Sequence, residues 1–160
     1  MNAQLVVEEL AAKLQLDALE PDEDGLFTFL IDGSLSIFMR LAPDDEHVMF
    51  FAGLGSLDKE NADIVCRALL ESNNFWHGTG GFTLSLIPGT LNVLLTARER
   101  LVSLSESGVF DLFDRFIAAT QVWQAKLPYL AEQSFGQQIL DTLSLTEQDE
   151  PAMNHLGRFA

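Results

Sequence analysis

Apolar and polar positions divide the chain into helical and strand-like stretches. At 100° per residue, Ala3, Val6, Val7, Leu10, Ala11 and Leu14 fall within roughly 140° of one another, which predicts an amphipathic helix. Glu8, Glu9, Lys13 and Gln15 lie outside that stripe. So do Leu5, Ala12 and Leu16, which form a second, weaker apolar strip. That strip either packs against a loop or offers a docking surface to another chain. Pro21-Asp22-Glu23-Asp24-Gly25 then breaks the chain.

Three strands are expected next. Leu26 to Ile31 is apolar and aromatic, and Asp32-Gly33 is a two-residue hairpin signal. Ser34 to Leu41 alternates, with Leu35, Ile37, Met39 and Leu41 on one face and Ser36, Phe38 and Arg40 on the other. After the polar turn Pro43-Asp44-Asp45-Glu46, His47 to Leu54 forms the third strand. Its Val48-Met49-Phe50-Phe51 run is apolar on both faces, which allows a cover on the second face as well.

Ser56 is a candidate N-cap, with Asp58 and Glu60 suited to the first turn of a helix over Leu57–Ser72. The apolar residues of that helix spread over roughly 240° of its circumference, and only Asp63, Arg67 and Glu71 make a clear polar strip. One side can cover a sheet. The other needs a second partner, either another copy of the same helix or the C-terminal helix. Asn73-Asn74 ends the helix and Gly78-Thr79-Gly80-Gly81 is a connector. Phe82 to Ile87 alternates as a fourth strand, Pro88-Gly89 fits a type II turn, and Leu91 to Arg98 returns as a fifth. Val109, Phe113, Phe116, Thr120, Trp123 and Leu127 mark a last helix, which Pro128 ends or kinks. The order helix, three strands, helix, two strands, helix predicts an α+β fold with an antiparallel sheet. Residues 1–127 form one domain, 128–145 a C-terminal helical extension and 146–160 a loose acidic tail.

The 160 residues fit one domain, and an apolar content of 48% supports a core. Nine basic residues against 24 acidic ones leave a net charge of −15. That argues against nucleic-acid binding and against adhesion to an acidic membrane. No apolar run suits membrane insertion, and MNAQLVVEELAAKL lacks the basic start of a secretory signal. The lone Cys66 points to a reducing compartment and reads as a packing residue.

Candidate chemistry is incomplete wherever it surfaces. His77-Gly78-Thr79-Gly80-Gly81 is similar to an esterase oxyanion loop, but the Gly-x-Ser-x-Gly nucleophile motif is missing. Ser56-Leu57-Asp58-Lys59 fits Ser-x-x-Lys without its companion motifs. His47, His77 and His155 sit in different elements, and Cys66 has no Cys-x-x-Cys partner. The clusters Asp22-Glu23-Asp24 and Asp44-Asp45-Glu46 read as solvated turns. We therefore expect a binding module with no catalytic residues, no metal and no cofactor.

The stretch Ala68-Leu69-Leu70-Glu71-Ser72-Asn73-Asn74-Phe75-Trp76, followed by Gly78-Thr79-Gly80-Gly81-Phe82-Thr83-Leu84, resembles the class I chaperones of bacterial type III secretion, the Tir-chaperone or CesT-like family. The hairpin from Leu26 to Met39 and Leu95-Thr96-Ala97-Arg98 before the last helix agree, so the resemblance covers roughly residues 3–127. It implies a cytoplasmic bacterial homodimer without ATP hydrolysis. Such a dimer holds the N-terminal segment of a secreted effector in extended form, keeps it secretion-competent, and hands it to the export machinery. The secretion-system ATPase or its sorting components are then candidate partners. A non-catalytic adaptor or regulatory binding protein of the same fold is the alternative. The family's docking grooves correspond to the first helix and adjoining strands, which makes Leu5, Ala12, Leu16, Phe27, Phe29, Phe38 and Phe51 candidates for effector binding. The same aromatic residues, Phe29 above all, can instead complete the core. The family's dimer contact corresponds to the Leu57–Ser72 helix and the following strand, with Cys66, Leu69, Leu70, Phe75, Trp76, Phe82 and Leu84 as candidates.

Overall fold

The computed structural model describes residues 2–42, 46–105 and 107–148, with side chains through residue 133. The first helix, α1 (Ala3–Lys13), starts where the Leu5 N–H donates to the Asn2 side chain at 2.9 Å. It ends in a Schellman turn. Gln15 takes a φ of 55°, and the Leu16 N–H reaches back to the Ala11 carbonyl. Val6 and Leu10 from its main stripe are fully buried.

Five strands follow: β1 (Leu26–Ile31), β2 (Leu35–Leu41), β3 (His47–Ser56), β4 (Thr83–Leu86) and β5 (Asn92–Arg100). They form one antiparallel sheet in the order β1-β2-β3-β5-β4. The first hairpin differs from expectation by one residue. Ile31 pairs with Leu35, so the loop is Asp32-Gly33-Ser34 and not two residues. That register sets Phe27 opposite Met39 and Phe29 opposite Ile37, all on the core face. A two-residue loop would have set Phe29 against Ser36 and mixed the faces. In the β4–β5 hairpin, Gly89 at a φ of 76° supplies the positive φ that a type II turn needs.

The second helix, α2 (Ala62–Asn73), starts five residues later than its pattern suggests. Strand pairing overrides the capping signal. Ser56 still pairs with Asn92, beyond a bulge at Gly53/Gly55, and the Leu57 N–H donates to the Leu91 carbonyl at 2.9 Å. Ser56 is therefore a strand residue, and Asn61 stands at the N-cap without a side-chain cap bond.

The third helix, α3 (Gly108–Gln148), continues through Pro128. Its stripe of Val109, Phe113, Phe116, Thr120, Trp123 and Leu127 is buried as the spacing predicts. The Thr120 hydroxyl is satisfied by the Phe116 carbonyl at 2.8 Å. Past Pro128, which faces solvent, Leu130 and Ala131 pack on the core and the Asn61 amide reaches the Ala131 carbonyl. Those contacts hold the helix on its course despite the lost backbone bond. The expected extension over 128–145 is thus part of α3 itself, which runs unbroken to Gln148. Residues 146–148 are helical, and 149–160 lie outside the described residues.

All three helices bury side chains into one cluster with the inward positions of the sheet. Phe113 sits at its centre, with ring centroids 4.7 Å from Phe29 and 5.4 Å from Phe50. Among the described residues no element covers the other face of the sheet, contrary to what the doubly apolar β3 allowed.

Candidate functional site

The apolar side chains left outside this core fall into two groups. The first lies on α1 and, for Leu16, just past its C-terminal turn. Leu5 and Leu16 are 49% and 43% exposed, and Ala12 is exposed beside them. Leu5 and Ala12 are seven residues apart, which puts them on one side of the helix about 10 Å from each other. The strip read from the sequence is therefore a surface strip and is not packed under a loop.

The four aromatic candidates split between the two faces of the sheet. Phe27 and Phe29 are buried in the core, so the docking set loses them. The alternation that turns Leu35, Ile37 and Met39 inward turns Phe38 outward, and Phe38 stacks on Phe51 with centroids 5.4 Å apart.

One sheet edge near α1's end of the chain is partly closed. The Asp22 carboxylate accepts from the N–H groups of Asp24 and Leu26, both at 2.9 Å, while the Asp22 N–H donates to the Leu26 carbonyl. Both backbone groups of Leu26 are thus used on the side away from β2. By antiparallel alternation, those of Thr28 and Leu30 also point outward, unclamped, and Leu30 is 63% exposed.

The second group surrounds α2 and β4. Leu70, Phe75 and Trp76 are 70%, 78% and 55% exposed. Cys66, Leu69, Leu70, Leu84, Ser85 and Leu86 line an apolar groove of about 260 Å³. Of the expected dimer residues, Leu69, Phe82 and Leu84 are core residues of the protomer, since α2 closes over β4. Cys66 is half-buried at the groove. Phe75 and Trp76 have φ values of 50° and 55°, a left-handed pair that costs on the order of 1 kcal/mol or more per residue. The turn that carries them closes tightly, because a Cβ at Gly78 would lie 3.0 Å from the Ser72 backbone oxygen.

Asn73 does something its sequence position did not announce. Its amide donates to the Leu84 carbonyl and accepts from the Leu84 N–H, each at 2.9 Å. The side chain thereby acts as a one-residue strand on the outer edge of β4. The sequence offered only a helix-terminating Asn-Asn pair as its signal.

The glycine loop after His77 also has a structural use. The Arg115 guanidinium donates to the Gly80 carbonyl and lies 5.7 Å from the centre of the Phe82 ring. Ser56 is held in β3, away from any catalytic role at a helix start. Among the described residues no group of three or more His, Cys, Asp or Glu is placed to hold a metal ion. No helix among them is long and apolar enough to cross a membrane. His155, Asp44 and Asp45 lie outside the described residues.

Solved structures share this fold. One is a crystal structure of the ExsC–ExsE complex, with a TM-score of 0.63 at 21% identity, covering 79% of this chain and 97% of that one. Another is the Yersinia pestis type III secretion chaperone SycH in complex with a stable fragment of YscM2, at 0.56 and 18%, covering 74% and 96%. A third is the heterodimeric ExoU–SpcU complex from the Pseudomonas aeruginosa type III secretion system, at 0.60 and 16%, covering 78% and 95%. No curated protein matches the chain. Residues 6–124 match the model of the Tir chaperone protein (CesT) family, and the chain belongs to that family.

Proposed function

We propose that this protein is a type III secretion chaperone. It binds the N-terminal segment of a secreted effector in extended form and keeps it competent for export. It acts in the bacterial cytoplasm as a homodimer, without catalysis, cofactor or metal. Export-machinery components such as the secretion ATPase receive the loaded complex. The observation that carries the reading is the unclaimed apolar strip of Leu5, Ala12 and Leu16 on a member of a chaperone family. The outward backbone groups of Thr28 and Leu30 support it, because an extended segment can add there as a strand. An unfolded client suits such dispersed sites, since it wraps a wide surface. The charge of −15 keeps a protein with this much exposed apolar surface in solution.

The second exposed group supports the dimer. The groove beside Cys66 and Leu70 accepts side chains, whereas the Asn73 clamp blocks strand pairing at Leu84. The dimer is thus a helix-packing contact built on α2.

Co-expression with the products of neighbouring genes tests the reading. A secreted protein should copurify with the wild type through its N-terminal segment. Leu5→Glu should retain its melting temperature and lose about tenfold in capture, because one buried leucine contact contributes about 1.5–3 kcal/mol. Unfolding of Leu5→Glu, or undiminished capture by it, would remove α1 from the site.

A further inference from the structure

The uncovered face of the sheet gathers three arginines from a strongly acidic protein, and of these Arg40 donates to the Asp24 carbonyl at its rim at 3.2 Å. Register sets Arg40 beside Met49 and Met49 beside Arg98, in a row across β2, β3 and β5. The next row sets Phe38 beside Phe51 and Phe51 beside Thr96. Arg100 continues the basic side, opposite His47, with Glu46 at its rim 4.0 Å away. None of the strand positions facing this side is Asp or Glu, in a chain with 24 acidic residues against nine basic ones. At its β4 end lies a cleft of about 410 Å³. Thr83, Ser85 and Thr96 supply hydroxyls there around Arg98. Among the described residues Arg98 is paired with no carboxylate.

We propose that this face docks an extended, acidic segment of a partner polypeptide, an apolar side chain seated on the Phe38–Phe51 stack and a neighbouring carboxylate held in the cleft by Arg98. The spacing fits. From Phe51 to Arg98 is one strand across and two residues along, roughly 8 Å between backbones. Residues i and i+2 of an extended peptide project to the same side about 6.7 Å apart, within side-chain reach of both positions. The guanidinium offers the carboxylate a paired, charge-assisted contact, and the three hydroxyls add donors around it. A single-stranded nucleic acid would also stack on phenylalanines, but each phosphate adds repulsion from a body of charge −15. A short segment with one or two carboxylates meets the arginines with far less of that repulsion. The surface is on the far side of the sheet from α1, and the inference holds whether or not the partner is a secreted effector.

The test uses a fluorescein-labelled octapeptide, Ser-Phe-Ser-Asp-Ser-Phe-Ser-Asp, titrated with the full chain and followed by anisotropy at low and high salt. Controls are the same peptide with Lys for Asp, and deca-thymidine. The Asp peptide should bind more weakly as salt rises. Arg98→Gln should weaken it about tenfold, a 1.4 kcal/mol loss, and flatten the salt dependence. Arg98→Lys should restore part of the affinity, and Leu5→Glu should bind as the wild type does. Equal binding of the Lys peptide, an unchanged affinity in Arg98→Gln, or displacement by deca-thymidine would overturn the proposal. So would a change in light-scattering mass caused by Arg98→Gln, which would assign the face to a second copy of this chain.

Discussion

Replacing Asn73 with Ala removes both hydrogen bonds that close the outer edge of β4 at Leu84, each 2.9 Å long. A typical intramolecular hydrogen bond contributes about 0.5–1.5 kcal/mol net, so two account for about 1–3 kcal/mol. Asn73 is half-buried, which keeps the estimate near the middle, about 2 kcal/mol. In a protein of this size that lowers the melting temperature by roughly 4–8 °C. Asn73→Asp separates the two bonds. The carboxylate still accepts from the Leu84 N–H, but it faces the Leu84 carbonyl oxygen with no proton to donate. Its folded-state pKa is therefore raised above the ordinary value of about 3.9. For an acid, a raised folded pKa means the folded state binds the proton more tightly. Relative to wild type, the variant should be destabilised at neutral pH and recover as pH falls through its folded pKa. Urea unfolding of the three proteins at one protein concentration, at pH 7 and near pH 4, measures this. If both variants stay within about 0.5 kcal/mol of wild type at both pH values, the clamp is not a stabilising device and the argument fails.

Leu70→Asp should leave the protomer's fold intact, because Leu70 is 70% exposed, and should give the mass of one chain by light scattering. An unchanged dimer mass would move the contact away from α2. Phe113→Ala should cost about 3–5 kcal/mol in chemical unfolding, since its ring touches both Phe29 and Phe50 at the centre of the core. A loss under about 1 kcal/mol would mean that the core closes over the gap.

The sequence announced the elements better than their joints. The α3 stripe was legible because one long helix faces one core, so its spacing is undisturbed from Val109 to Leu127. The start of α2 was not, because Ser56 is a good cap only if the chain is free to cap. Its pairing with Asn92 is a contact with a residue 36 positions later. Pro128 misled for a related reason: local preference ends a helix there, and the packing of Leu130 and Ala131 continues it. The site shows the same division. Alternation alone sorted Phe38 from the β2 residues of the core, but Phe27 and Phe29 needed the register of the first hairpin. The arginine row is invisible in sequence order, since Arg40 and Arg98 come into line only by flanking Met49 of β3. Asn73 was readable as a terminator, while its second use depended on where β4 lands.

The Asn73 clamp also bears on how the protein behaves when crowded with its own kind. A sheet with two receptive edges can add copies head to tail, each bringing a fresh edge, and such growth has no natural end. Here β4 is stoppered at Leu84 and β1 at Leu26. The longer receptive stretch lies on the β1 border, at Thr28 and Leu30, while on the β4 border only Leu86 is left facing outward past the clamp. A strand that settles on β1 finds the far border clamped at the middle of its short strand, which hinders a second addition there. A protein that lives beside unfolded chains thereby stays open to a foreign strand without becoming the seed of a fibre.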